Sequence, residues 1–439
     1  MMLNLVLGGA HDTYLPERLT LNLRSQMKKL SKEFIMKENS PFTPGNPAPV
    51  ELFVGRVEQI KEILKYVRQT ASGRQENVFL AGERGIGKSS LAAFLRHLVD
   101  RENFLAIHVF VGGVTDLEEL VRRIFEQILK ETNKQTWFDE ISGFFGKYVK
   151  QVDLFGISVS FNPPQEDLEG LVRNFPEALK NIMEKIKNEK KGLFIVLDDI
   201  NGISETPEFA NWYKSFVDDV ATHYTDFPAF IMPIGIPEIR DVLSEHQPSL
   251  MRIFRVVDID KLSDKEVNEF FEKTFGKVNI EVEPEAMEVM VVFSSGLPIF
   301  MHEIGDAIFW RDEDGVISND DAVSGIFDAA ERIGKKYLDP KVYRTLRSER
   351  YRSILRKLGE RPISRFRKGE VESKLNEKEK KVFNNFLRKM RDLGIIVADM
   401  EGGRGSYRFV NELYPFYIWM ESQNIKPKEI TKNKTSEES

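Results

Sequence analysis

Eight residues constrain this 439-residue chain more than any other stretch: Gly82-Glu83-Arg84-Gly85-Ile86-Gly87-Lys88-Ser89, spaced as G-x-x-x-x-G-K-[ST]. The apolar run Asn77 to Ala81 before them reads as a short buried strand, and Ser90 to Leu98 after them as a glycine-free helix. Strand, tight loop and helix in that order point to a parallel α/β layer. Glycines at 82, 85 and 87 let the backbone curl with its N–H groups inward, so that phosphates would meet a nest of donors at a helix N-terminus. On this pattern Gly82, Glu83, Arg84, Gly85, Ile86, Gly87, Lys88, Ser89 and Ser90 are the phosphate-side candidates. Lys88 would bring a point charge to the β and γ phosphates, and the Ser89 hydroxyl would ligate Mg²⁺.

The length invites two or three domains. A charged fraction of 30%, a hydrophobic fraction of 41% and a net charge of -6 describe a soluble globular chain, expected in the cytoplasm, and no apolar run approaches a membrane span. The apolar opening Met1 to Ala10 lacks a basic n-region, which argues against secretion. With no cysteine, disulfides, thiol catalysis and cysteine metal sites are excluded. The six histidines, His11, His97, His108, His223, His246 and His302, form no i,i+4 pair, and each reads as a surface or packing residue. The expected metal is Mg²⁺ carried in with the nucleotide.

Strands and helices alternate through the middle of the chain, the pattern of a parallel sheet with helices on both faces. A helix over 20–37 and the prolines 41, 44, 47 and 49 lead to the box Phe53-Val54-Gly55-Arg56 and a helix from Val57 to Thr70. Beyond the P-loop helix come a strand over 104–111, a helix over 116–131 and, over 132–165 where the alternation breaks, an inserted hairpin or flap carried by the period-two run 152–161. A helical stretch over 167–190, restarted at Pro176, restores the rhythm. Leu193 to Leu197 then run apolar into Asp198-Asp199, read as a buried strand beside the P-loop strand. Asp198 would stand on the metal side and Asp199 would orient or deprotonate the attacking water. A helix over 210–223, a strand over 229–235 and a strand over 249–259 with Arg252 and Arg255 at its start follow. Pro233 suggests a bulge or an unpaired position. Helices over 264–275, 284–294, 298–311 and 319–333 suggest a helical lid.

The P-loop, the Phe53 to Arg56 box, the Leu193 to Asp199 strand, the Arg252 region and Gly296-Leu297-Pro298 together resemble the AAA+/STAND superfamily of P-loop ATPases. More narrowly, the chain resembles prokaryotic, especially archaeal, origin-recognition-like ATPases with a core, a helical lid and a C-terminal winged helix. The likeness is strong over about 45–335 and looser beyond. It implies that Val54 and Gly55 border the adenine and that Pro298 packs on the base. It also offers Arg252 and Arg255 as arginine fingers given in trans, beside the plainer reading of surface or carboxylate-pairing arginines. Two departures matter. Asp198-Asp199 replaces the Asp-Glu usual in AAA+ enzymes, which favours slow, switch-like hydrolysis. Gly235-Ile236-Pro237 lacks the polar sensor, and no arginine stands in the Gly296 motif. Guanine specificity is disfavoured because Asn133-Lys134-Gln135-Thr136 lacks the acid that it needs.

Residues 341–412 hold twenty Lys/Arg and ten Asp/Glu, a balance of +10 in a chain of net -6. Helices over 351–358 and 379–393, then strands over 394–399 and 406–410 around a glycine-rich tip with Arg404, look like a winged helix. Its partner is duplex DNA through 341–412 on one reading and a protein on the other. The resulting division is 1–44 adapter segment, 45–260 ATPase core, 261–335 lid, 336–425 winged-helix-like domain and 426–439 disordered tail. The chain is thus expected to bind ATP and Mg²⁺ and to act as a switch, either DNA-associated or as a STAND-like signalling or defence scaffold that oligomerises.

Overall fold

The computed structural model describes residues 37, 39–133, 135, 137–153 and 157–423. The helix expected over 20–37 and the tail 426–439 lie outside the described residues, apart from residue 37. The chain divides into two compact units at Ser40, and the second, from Pro41 onward, carries every described element.

Its first half holds α1 (Val57–Thr70), β1 (Glu76–Gly82), α2 (Lys88–Arg101), β2 (Leu105–Phe110) and α3 (Leu117–Thr132). After α4 (Phe138–Phe145) an antiparallel hairpin forms from β3 (Val149–Asp153) and β4 (Ile157–Phe161), three residues ahead of the expected flap. Helices α5 (Gln165–Arg173) and α6 (Phe175–Ile186) meet where Pro176 takes a first-turn position, which costs no hydrogen bond. Then follow β5 (Leu193–Asp198), α7 (Pro207–His223), β6 (Ala229–Gly235), α8 (Pro237–His246) and β7 (Arg255–Ile259). Arg252 sits in a 3-10 turn, Leu250–Arg252, so the last strand starts later than the sequence pattern suggests.

The five strands lie in the order β2-β5-β6-β1-β7, all parallel. This corrects one expectation: β5 is not beside the P-loop strand, because β6 lies between them. Strands buried on both faces all read as apolar runs, so periodicity finds them without ordering them. Pro233 makes no bulge either. The β1/β6 pairing keeps one register from Glu76↔Phe230 to Ala81↔Gly235 and lapses only opposite Met232 and Pro233, where a proline has no N–H to give.

Along β1 alternate residues serve opposite faces. Val78 and Leu80 pack with Ile63, Val67, Leu91 and Leu95 of α1 and α2, whereas Phe79 and Ala81 join the core built by α3, α6 and α7. Burying each of the Val, Leu, Ile and Phe side chains contributes roughly 1.5–3 kcal/mol.

The helical lid follows: α9 (Asp264–Gly276), β8 (Glu281–Val282), α10 (Pro284–Ser294), α11 (Pro298–Phe309), β9 (Val316–Ile317) and α12 (Asn319–Ile333). Ser263 and Ser318 start α9 and α12 with capping boxes, closed by Glu266 and Asp321. A π-helical stretch, Gly334–Tyr343, leads to α13 (Glu349–Leu358), β10 (Arg365–Arg367), α14 (Lys368–Ser373), α15 (Glu377–Asp392), β11 (Ile396–Ala398), β12 (Ser406–Phe409) and α16 (Leu413–Gln423). Strands β10, β12 and β11 form an antiparallel sheet in that order. One continuous core joins the lid to this C-terminal unit, with Ile326, Ile333, Leu338, Tyr417 and Ile418 among its members. Gly334 is required there, since a Cβ would sit 2.3 Å from the Tyr417 ring. The proline-rich segment is pinned from the other side: Phe42 lies buried against Phe275, with ring centroids 4.9 Å apart, over Gly305.

Candidate functional site

Parallel strands deliver all their C-terminal ends to one edge of a sheet, and the loops there carry the chemistry. Here that edge gathers the P-loop after β1, Asp199 to Asn201 after β5 and Ile236 after β6. All seven residues of β1 are buried, and the loop then turns through Gly85 and Gly87 at φ +79° and +96°, where L side chains are strained. Helix α2 begins at Lys88, so its first-turn N–H groups lack helical partners and are available to an anion.

Lys88 Nζ donates to Gly82 O at 2.7 Å and to Glu83 O at 2.8 Å. Burial pushes its ammonium below the ordinary lysine value, opposed by the attraction of Asp198 and Asp199. Ser89 is half-buried on the same turn. The Ser90 hydroxyl is engaged elsewhere, accepting from Ala48 N at 3.0 Å, and so fastens the proline-rich segment to α2.

The Phe53 to Arg56 box is tied to three neighbours. Phe53 stacks on Phe94 of α2 at 4.5 Å. Val54 is buried in the lid core, and a Cβ on Gly55, which sits at φ +69°, would lie 2.3 Å from Glu266 Oε1 of α9. Arg56, buried and left-handed at φ 61°, donates its backbone N–H to Glu266 Oε1 at 3.1 Å. Its guanidinium donates to Ile86 O in the P-loop at 3.1 Å and to Asp260 O beyond β7. In the sequence Arg56 stands out only as the end of the box. Burial pushes its guanidinium down, offset by Glu266 and Asp260.

Pro298 opens α11 directly on the P-loop: a Cβ on Gly87 would lie 3.3 Å from Pro298 Cγ. Its neighbour Ile299 donates its N–H to Gly85 O at 3.3 Å. Helix α11 therefore touches the glycine-rich loop itself.

Asp198 ends β5 almost fully buried, 3% exposed. His108 Nε2 lies 2.9 Å from its Oδ2. His108, expected to be a surface or packing residue, is buried against this candidate site residue. Asp199 is exposed and left-handed at φ 64°, with Asn201 Nδ2 donating to its Oδ1. Asn201 Oδ1 in turn accepts from Ile236 N at 3.2 Å, so this residue bridges β5 to the tip of β6. The links from His108 to Asp198 and from Ile236 to Asn201 were not legible, because each spans a long stretch of sequence.

Arg252 and Arg255 stand at the opposite end of the sheet. Arg255 Nε meets Glu76 Oε2 at 3.1 Å at the start of β1, and its guanidinium covers the Tyr66 ring at 4.6 Å. Arg252 is exposed and lines a cavity of about 550 Å³ with Arg74 and Glu76. Neither is gathered with the P-loop of its own chain.

The donor set suits a Mg²⁺ that arrives with a nucleotide: one hydroxyl, Ser89, and one buried carboxylate, Asp198, near the P-loop lysine. Among the described residues no three His, Cys, Asp or Glu cluster to hold an ion unaided.

Residues 52–210 match the family model described as AAA ATPase domain. The ORC2 protein of Aeropyrum pernix, solved as ADPNP-ADP complexes, is similar with a TM-score of 0.56 at 13% identity, covering 90% of this chain and 99% of that one. At that identity the likeness shows the fold alone. An uncharacterised HTH-type transcriptional regulator of Methanocaldococcus jannaschii is 22% identical over 293 residues, 63% of this chain and 67% of the relative. No helix among the described residues is long and apolar enough to cross a membrane.

Proposed function

We propose that this chain is an ATP- and Mg²⁺-binding, slowly hydrolysing switch whose C-terminal unit, a winged helix, engages duplex DNA. Its working parts are the core over 45–260, the lid over 261–335 and the winged unit over 336–425. Lys88 and the loop Gly82 to Ser89 bind the phosphates, Ser89 and Asp198 the ion, Asp199 the attacking water, while Val54, Gly55 and Pro298 bound the nucleotide.

The observation that carries this reading is a chain of contacts from the phosphate loop to the winged unit. Ile299 on α11 bonds to Gly85. The turn before α11 holds Ser295, whose Oγ accepts from Glu412 N at 3.0 Å, just beyond β12. Lys261, between β7 and the lid, donates to Val410 O at 2.9 Å. A nucleotide on the P-loop must meet the start of α11, and whatever moves α11 is felt at Val410 and Glu412.

DNA as the partner is supported by the exposed face of α15, which presents Lys380, Lys381, Asn384, Asn385, Arg388 and Arg391, and by exposed Arg404 in the loop between β11 and β12. The name of the Methanocaldococcus relative fits the same role. Binding of the full chain to duplex DNA, measured across salt concentrations, is the test. Phosphate contacts release counterions, so affinity should fall steeply as salt rises. No binding at low salt would reject the DNA partner.

A second reading is favoured by the lid's seat on the P-loop: a STAND-like scaffold in which ATP frees α11 and so permits self-assembly. ATP-dependent sizing without DNA binding would select it.

A further inference from the structure

The two carboxylates that end β5 are held in different ways, and the inner one depends on a residue from the neighbouring strand. In the parallel β2/β5 pairing Phe110 stands opposite Asp198. His108, two residues earlier on β2, therefore projects to the same face and reaches Asp198 on the diagonal. Its Nε2 comes within 2.9 Å of Oδ2, and both residues are buried, at 7% and 3% exposure. A carboxylate only accepts, so Nε2 carries the proton and donates. The Phe110 ring stacks on the imidazole at 4.4 Å and is itself 59% exposed, covering the pair at the outer edge of the sheet.

We infer that His108 is the positioning residue for Asp198, fixing Oδ2 through its Nε2–H and so leaving Oδ1 to the Mg²⁺ shell. The inference rests on the reading that this site takes a Mg²⁺-nucleotide. An imidazole N–H suits the role because it brings no obligatory positive charge, whereas a lysine or arginine there would compete with the ion. Nothing else among the described residues donates to Asp198 by side chain. Partners of metal ligands typically set metal affinity by about 10–100-fold.

The experiment titrates Mg²⁺ against binding of a fluorescent ATP analogue to the full-length protein, with a second titration in EDTA. His108→Phe keeps a ring against Phe110 but removes the donor, and His108→Gln keeps an N–H donor at similar reach. His108→Phe should raise the Mg²⁺ needed for half-maximal binding at least about tenfold. His108→Gln should stay within about threefold of wild type, and nucleotide affinity in EDTA should be the same in all three. Wild-type Mg²⁺ dependence in folded His108→Phe would overturn the inference while leaving the nucleotide site intact. A wild-type protein whose binding ignores Mg²⁺ would overturn both. Should His108→Phe fail to fold, the inference passes to Asp198→Asn. There the Mg²⁺ requirement should rise and then stay unchanged on adding His108→Ala, which removes the donor, and a further shift in that double variant would contradict it.

Discussion

At the C-terminal ends of its parallel strands the chain offers backbone N–H groups, one lysine and two carboxylates; at their N-terminal ends it offers Arg74, Arg252 and Arg255 around one buried carboxylate, Glu76. The same five strands separate these two chemistries by their whole length. That separation decides which residues serve the chain's own nucleotide. On the proposed reading Lys88 and Asp199 act in place, whereas Arg252 reaches phosphates only if a second subunit brings them.

Lys88→Ala attacks the first end most directly. The ammonium that now rests on Gly82 O and Glu83 O is the one that would turn to the phosphates. Its loss should weaken ATP binding at least about 100-fold, on the scale of charge-assisted bonds to phosphate. Calorimetry on the folded variant showing unchanged affinity would remove the P-loop from the scheme.

Asp199→Asn separates chemistry from binding. Near-normal ATP affinity should accompany a turnover lowered at least about tenfold, the usual scale of a general base. Unaltered turnover would pass the role to another acid, with Glu83 in the P-loop the next to test.

Arg252→Ala probes the opposite end and should do least to a single chain. ATP affinity in dilute protein should stay within about twofold, as expected for an exposed residue remote from the ligand. Any loss should appear only as a missing rise of turnover with protein concentration. A tenfold loss of affinity in the monomer would break the contrast between the two ends.

Much of this was legible in the sequence, for definite reasons. The P-loop is a local pattern whose glycines, lysine and serine are neighbours, so its place after β1 and before α2 could be read directly. Helix α1 runs from Val57 to Thr70 as its apolar spacing indicates. Strand order was not legible: Leu193 to Leu197 and Ala229 to Met232 are equally apolar, and nothing in either says which lies beside β1. His108 and Asn201 escaped because a hydrogen bond across 90 residues, or from Ile236 N–H to Asn201, leaves no periodic trace. In the C-terminal unit α15 was visible from its apolar positions, while β10 and α14, three and six residues long, are too short for a period to show. The stretch 334–343 winds as a π-helix across Pro340, which a sequence reader takes as a break.

We propose that nucleotide on the P-loop is felt at the C-terminal unit through Ile299, Ser295 and Lys261. The measurement that bears on it most directly is the affinity of the full chain for one duplex DNA at fixed salt, with and without Mg²⁺-ATP, in wild type and in Lys88→Ala. Coupling between sites typically amounts to about 5–150-fold. Wild type should therefore change its DNA affinity at least about fivefold on adding ATP, and Lys88→Ala should not change. Equal DNA affinity with and without ATP, in a wild-type protein shown to have ATP bound, would contradict it.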